Sequence, residues 1–371
     1  MSVLDLDPQK LLASDEPRLT IRARLEPTSG MNRLQPAGFP EIGQVIYEAP
    51  DGNGGRQRIA IVDSAPSMAN HLEEVCCGGP FDPGLSPDLK GLPYVRCVAG
   101  PAPNTTELVV TSLTEGHRLA STYFLEGCRL TGNGGVAADK FEAELHEEFG
   151  LRAVGKKEHL AADGWWKVFA AIFKYDPNSL VHGIMFPKWQ IKIPRVLTAV
   201  QEAFGAERVA TSGVKFDKLG KTTSGQPIFS KEEVTADEVR ATFVIDLALV
   251  RSFGRGGHGL SDAQKTLLVA LALWKISELL SKPFRFRSGC DLACKSIEAE
   301  FPGGGASRIQ KMPVVEIARH IAAAGLKNGT TDVYWPEGEL FKASATPAPD
   351  GNGDGGAGGP DGDDGSEESE G

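Results

Sequence analysis

Ile59-Ala-Ile-Val-Asp-Ser-Ala-Pro-Ser-Met-Ala-Asn-His-Leu-Glu-Glu-Val75 decides how the chain is read. The apolar run Ile59 to Val62 breaks at Asp63-Ser64, and Ala65, Ala69, Leu72 and Cys76 then fall on one helical stripe. Pro66 suits a first helical turn, where its missing N–H has no partner to lose. The stretch therefore predicts a strand running into a helix. Such a junction leaves backbone N–H groups unpaired at the positive end of a helix dipole, a setting that suits phosphate. Ser64, Ser67, Met68, Asn70 and His71 cluster around it. Capping alone would also account for Ser64 or Ser67, and for Asp63, so local chemistry leaves both readings open.

Upstream, Leu19-Thr-Ile-Arg-Ala-Arg-Leu25 alternates apolar and polar, which predicts a half-buried strand with Thr20, Arg22 and Arg24 on its open face. That face is either solvated or meets RNA. The Gly/Pro-punctuated loop Ser29 to Pro40 presents Arg33 and Gln35. Gln44 to Glu48 and Gln57 to Val62 read as a hairpin around Asp51-Gly-Asn-Gly-Gly55.

Downstream, Gly78 to Asn104 reads as a long ordered loop with a candidate short strand at Leu92-Pro-Tyr-Val95, and Glu107 to Thr111 as a strand. Ser112-Leu-Thr-Glu115 matches a capping box, which predicts a helix from Leu113 to Leu125. His117 and Arg118 then lie in its first turn, where a cation opposes the dipole unless an anion is near. Ala138 to Phe149 reads as a helix with Phe141, Leu145 and Phe149 inward. Trp165 to Lys174 reads as a helix carrying a core aromatic stripe, and Pro194 to Phe204 as a further helix. Thr211 to Thr235 reads as a protruding hairpin whose basic tip includes Lys215 and Lys218. Arg240 to Arg251 is a long strand-like run. Ser261 and Gln264 box the start of the most apolar helix, which reaches Ser281. In Phe284 to Leu292, Phe284 and Phe286 face in while Arg285 and Arg287 face out.

Of the 371 residues, 41% are hydrophobic and 24% charged, enough to bury a sizeable core. The formal net charge is −10, but eight acidic residues lie from position 346 onward, where there is no Lys or Arg. The rest of the chain is close to neutral, so charge does not exclude nucleic acid. The six cysteines match no disulfide framework, and the acidic Met1-Ser-Val-Leu-Asp-Leu-Asp start has no apolar core segment. A reduced, cytoplasmic protein without membrane attachment is expected. There is no Walker loop and no Gly-x-Ser-x-Gly elbow. Cys290 and Cys294 lack a second thiol pair at metal spacing. No cofactor, metal or catalytic residue is expected, although His71 and His117 are candidates for acid–base work on RNA.

Seven segments taken in order resemble a known family. They are Ser67-Met-Ala-Asn-His-Leu-Glu73, Gly91-Leu-Pro-Tyr-Val-Arg96, Glu115-Gly-His-Arg-Leu119, Asp176-Pro-Asn-Ser-Leu-Val-His-Gly183, Ser212-Gly-Val-Lys-Phe-Asp217, Asp246-Leu-Ala-Leu-Val-Arg251 and Arg287-Ser-Gly-Cys-Asp-Leu292. Together they resemble the RAMP-superfamily backbone subunit of type I-G (formerly I-U) CRISPR Cascade, over about residues 18–325. The resemblance implies an α+β fold: an RRM-like, ferredoxin-type core with insertions at about 78–104, 131–165 and 213–231. It implies one domain over 1–345 and a thumb-like hairpin at 213–231, while the Gly/Asp/Glu-rich composition of 346–371 predicts a disordered acidic tail. The implied partners are guide RNA (crRNA), the target DNA strand through the guide, other copies of the chain and other Cascade subunits. The implied RNA contacts are Arg22, Arg24, Arg33, Gln35, Ser64, Ser67, Met68, Asn70, His71, His117, Arg118, Lys215, Lys218, Arg285 and Arg287. One departure stands out: His71 occupies a position where the family pattern has Arg, and a neutral His is the weaker phosphate partner. The alternative reading is a RAMP-type endoribonuclease that processes guide precursor.

Overall fold

In the computed structural model, the alternation at Leu19–Leu25 becomes strand β1, Arg18–Pro27. The structure describes residues 5–340, apart from 29, 40–42, 80, 155–156, 162–163, 210–232, 305, 310 and 327–328. Leu19, Ile21, Ala23 and Leu25 are buried, and Thr20, Arg22 and Arg24 take the opposite face. Strands β2 (Ile46–Pro50) and β3 (Arg56–Asp63) form the expected hairpin. β3 runs directly into helix α1, Ala65–Glu74. Later come β4 (Leu197–Phe204), β5 (Glu238–Asp246), helix α2 (Asp262–Ser281), β6 (Phe284–Arg287) and β7 (Cys290–Glu300).

These strands make one antiparallel sheet in the order β6-β7-β1-β5-β4-β3-β2. Within it, β7-β1-β5-β4 is the fourth-first-third-second order of a ferredoxin-type βαββαβ unit, with α1 between β1 and β4 and α2 between β5 and β7. The expected α+β core is therefore present. Helix α2 is buried nearly all round, with Leu267 to Leu273 and Ile276 at 0% exposure. It starts with the predicted capping box: the Gln264 side chain accepts from Ser261 N–H at 2.9 Å, and Ser261 Oγ accepts from Gln264 N–H at 3.3 Å. Among the described residues no helix is long and apolar enough to cross a membrane.

Four expectations are corrected. Pro194–Phe204 is not a helix: Leu197, Ala199, Gln201 and Ala203 are buried in strict alternation, and β4 pairs with β5 from Leu197↔Ile245 to Phe204↔Glu238. Long-range pairing overrides the helix-forming Ala, Gln and Glu of this run. The strand at 240–251 stops at Asp246, whose carboxylate accepts from Leu249 N–H at 2.8 Å and caps the short helix Leu247–Ser252. Ser112 starts no helix. It is fully buried and its hydroxyl accepts from Val95 N–H at 3.2 Å, leaving a 3-10 turn at Arg118–Ala120 and a short helix at Thr122–Leu125. Finally, 78–104 is more than a loop with a short strand at 92–95. Its Val95–Ala102 is a strand of a second, five-stranded sheet that also takes Thr105–Thr111, Cys128–Thr131, Gly135–Lys140 and Thr331–Pro336.

A polar network crosses the core beneath α1. Arg118 binds Glu73 of α1 twice, Nε to Oε1 at 2.6 Å and Nη2 to Oε2 at 2.8 Å. Asn178 Nδ2 donates to Glu73 Oε1 at 2.9 Å. Lys275 of α2 donates to Asn178 Oδ1 and, at 2.8 Å, to His182 Nε2. Beside them, fully buried Asp176 accepts from Ser179 Oγ at 2.7 Å and from Asn178 N–H at 3.1 Å.

Burial pushes the Asp176 carboxyl up to about 6, against the opposing hydrogen bonds of Ser179 and Ser112. The folded state thus holds this proton more tightly than the unfolded chain. Its contribution is complete below the unfolded value near 4 and is lost as pH rises through about 6, a fall of about 3 kcal/mol. Asp176→Asn is expected to remove that part of the pH dependence. Urea denaturation of both proteins at intervals from pH 4 to 7 checks this; parallel curves would refute it.

Candidate nucleic-acid interface

The start of α1 is built around a carboxylate. Asp63, the last residue of β3, is fully buried. Its Oδ2 lies 3.1 Å from His71 Nε2 and 3.0 Å from Arg287 Nη2. Burial alone would raise this carboxyl, but hydrogen bonds from His71 and Ser67 and the charge of Arg287 overcome it and hold it below its ordinary value. The Arg287 guanidinium also donates to Val62 O at 2.6 Å and to Gln35 O at 3.3 Å. Gln35 N–H returns a bond to Gly289 O at 2.8 Å, and Ala37 N–H donates to Val62 O at 3.0 Å. Gly289, at φ +80°, turns β6 into β7 where a Cβ would lie only 3.3 Å from the Gln35 side chain. His71 is packed edge-on between Phe284 and Phe286, with ring centroids 5.4 and 5.3 Å away. One carboxylate therefore ties together the loop at 35–37, the end of β3, the start of α1 and the β6–β7 turn.

Of the sequence-predicted contacts, this arrangement gathers Gln35, Ser64, Ser67, His71 and Arg287, with Asn70 exposed on α1 and Arg285 on β6. The backbone at the helix start offers less than expected. Pro66 has no N–H, and that of Ser67 is capped by Ser64 Oγ at 3.5 Å, leaving Ala65 among the first three positions. Recognition here rests mainly on the Asn70 amide and the Arg285 guanidinium, since the Ser67 hydroxyl donates to Asp63. Arg285 is 72% exposed in its side chain and bound to Asp291 at 2.7 Å. An exposed pair of this kind is weak enough to exchange its carboxylate for a phosphate.

The remaining candidates divide. Arg33 is bound to Glu233 at 2.5 Å where Arg33–Leu34 pairs with Glu233–Thr235. That strand also pairs with Glu207–Val209, so Arg33 stands at the base of the segment 210–232. Lys215 and Lys218, and the predicted basic hairpin itself, lie outside the described residues. Arg22 is paired with Glu300 at 2.6 Å, whereas Arg24 is exposed with no carboxylate partner among the described residues.

Three readings need correction. Met68 is fully buried against the sheet and cannot touch a ligand. Arg118, with its side chain 8% exposed, is a core residue paired with Glu73; its φ of +55° is a left-handed conformation that the bidentate pair helps to hold. Arg287 does not face out, because the buried Asp63 draws it in. His117 is exposed beside Glu115 at 3.1 Å. Each candidate acid–base histidine is thus held by its own carboxylate. Among the described residues no three His, Cys, Asp or Glu side chains gather as a metal site.

Two residues escaped the sequence reading. Asp63 looked like a cap, and only its place at the end of an apolar strand hinted at burial. Arg195, whose Nη1 donates to Ala65 O at 3.0 Å, carried no local signal.

Comparison with known proteins adds the following. The model of the family described as CRISPR-associated protein GSU0053 matches residues 19–208, a span that contains β1, the α1 start, the 35–37 loop and β4. None of the curated proteins compared with the chain matches it. Among solved structures, the crystal structure of Thermofilum pendens Csc2 aligns over 92% of this chain and 79% of its own, at 12% identity and a TM-score of 0.26.

Proposed function

The chain belongs to the CRISPR-associated GSU0053 family, and on that premise we propose that it is a non-catalytic, guide-RNA-binding backbone subunit. On this reading several copies line one guide within a type I-G Cascade complex in the cytoplasm, beside the complex's other subunits. The guide's bases are left to pair with a strand of double-stranded target DNA, so the protein reads phosphate and sugar while base pairing reads sequence. The observation that supports it is the helix start held by the buried bonds to Asp63, beside which Asn70 and Arg285 stand exposed. Such a surface offers amide and guanidinium donors at fixed positions, and it meets a backbone rather than a base edge.

Affinity for a guide-length single-stranded RNA should fall steeply with salt, by roughly three hundredfold or more between about 50 and 200 mM if six or more phosphates are neutralised. Asn70→Ala with Arg285→Gln should weaken binding about tenfold, as two lost hydrogen bonds imply, while thermal stability changes little because both side chains are exposed. Fluorescence anisotropy over a salt series checks both. Salt-insensitive binding, or unchanged affinity in the double variant, would sink the assignment. Precursor RNA incubated with the protein is expected to stay intact, with and without chelator.

A further inference from the structure

A second cleft adjoins the α1 start from the other side. It opens between the Gly116–Arg118 turn and the hairpin of Ile184–Phe186 with Ile191–Ile193, and encloses about 390 Å³. Its wall holds His117, Arg118, His182, Lys192 and Arg195 and not one Asp or Glu. The neighbouring cavity is the reverse, lined by Glu73, Glu74, Asp82 and Glu115. An anion is therefore directed to the first cleft and away from the second.

The cationic cleft is built, not a chance meeting of surface side chains. Arg195 is half-buried and, unlike Arg22, Arg33, Arg118, Arg285 and Arg287, has no carboxylate partner among the described residues; its one bond runs to Ala65 O at 3.0 Å. Gly183, at φ +77°, lets the hairpin close on it: a Cβ there would lie 2.9 Å from Ile193 O and 3.0 Å from the Arg195 side chain.

Behind Arg195 lies His182, 1% exposed. Lys275 donates to its Nε2, so the ring proton sits on Nδ1, and that buried N–H has no partner among the described residues. Burial, together with Lys275, Arg118 and Arg195, keeps the imidazole neutral, so it remains a fixed donor rather than a titrating one. At the mouth, Lys192 is exposed, and its cross-strand neighbour Met185 is 53% exposed, an apolar surface of the kind a base or sugar covers.

We propose that this cleft is a nucleotide subsite: Arg195, Lys192 and the His182 Nδ1–H hold one phosphate group, and Met185 packs against the attached nucleoside. A phosphate of bound RNA and a free nucleoside monophosphate share this chemistry. The first source rests on the RNA-binding reading above; the second does not.

Lys192→Gln, Met185→Ala and Arg195→Gln are compared with the unaltered full chain, using a labelled RNA oligonucleotide in anisotropy and adenosine 5′-monophosphate in calorimetry. If the source is RNA, Lys192→Gln weakens RNA binding roughly fivefold and lowers the slope of log affinity against log salt by about 1, with no monophosphate bound. If the source is a free nucleotide, the monophosphate binds the unaltered protein and is lost in the variants while RNA affinity holds. Either result supports the subsite. Should Arg195→Gln fail to fold, having lost its bond to the α1 start, the exposed Lys192 and Met185 variants decide alone. RNA binding by the unaltered protein that no variant changes, with no monophosphate bound, overturns the cleft and spares the RNA-binding reading. No RNA binding by the unaltered protein removes that reading, and the monophosphate then decides the cleft alone, absence of binding overturning it.

Discussion

Arg118→Met is expected to cost about 3–5 kcal/mol of folding stability, the loss typical of stripping one partner from a buried ion pair. The guanidinium and the Glu73 carboxylate have side chains only 8% and 4% exposed, and two bonds of 2.6 and 2.8 Å join them. Without Arg118, Glu73 keeps only Asn178 as a neutral donor, and a buried charge faces the α1 underside. Three further bonds depend on this geometry: Asn178 to Glu73, Lys275 to Asn178 and Lys275 to His182. The damage should therefore spread from α1 to α2. Urea denaturation measures it. The control is Arg118→Met with Glu73→Leu, which removes both charges and should regain much of the loss, since an apolar pair of similar volume often equals a buried ion pair. A single variant no less stable than the double one would show that the pair carries little.

Asp63→Ala should have the second large effect, and on two quantities at once. It leaves Arg287 and His71 without their shared acceptor, in side chains 24% and 15% exposed, and a stability loss of about 2–4 kcal/mol follows. It also loosens the link between the α1 start and the β6–β7 turn, so RNA affinity should fall at least tenfold although Asp63 itself is out of reach of any ligand. Asp63→Asn keeps the volume and one acceptor and should fall between the two. The pH dependence has a definite sign. Because the folded carboxyl is held below its ordinary value, its contribution is present above the unfolded value near 4 and is lost as pH falls through the lower folded value. The gap in stability between the unaltered protein and Asp63→Asn should therefore close on acidification below about 4. A gap that is constant from pH 7 to 3 would contradict the assignment.

These two residues also mark where sequence reading stops. Features carried by a local pattern were legible. The alternation of β1, the capping box of α2 and the inward stripe Phe141, Leu145 and Phe149, all three fully buried, each fit within a short window. The βαββαβ order does not follow from these windows; the family resemblance implies it. β4 was misread because Leu-Thr-Ala-Val-Gln-Glu-Ala-Phe supports either period, and its pairing with β5 lies beyond any window. Arg118 looked like a cation seeking an anion, and so it is, but the anion is Glu73 in the preceding helix. Asp63 looked like a cap because its partner Arg287 arrives only after most of the chain has passed. The set Ser67, Asn70 and His71 was found because one helix start holds it. The cationic cleft was not, because Lys192 and Arg195 reach it from a hairpin whose closure depends on Gly183.

The central position of β1 has a consequence in time. Leu19 pairs with Ile245, and Ile21 pairs with Ala299, so the first core strand to leave the ribosome is completed by nearly the last. At about 5–20 residues per second, some 15–60 seconds separate its synthesis from that of β7. Throughout that interval β1 has two unsatisfied edges and the apolar row Leu19, Ile21, Ala23 and Leu25. Arg22 and Arg24 on its other face make a poor template for a second copy, since like charges would meet in an in-register pairing. In the nascent chain the same arginines act as guards against premature association, before any sheet exists for them to decorate.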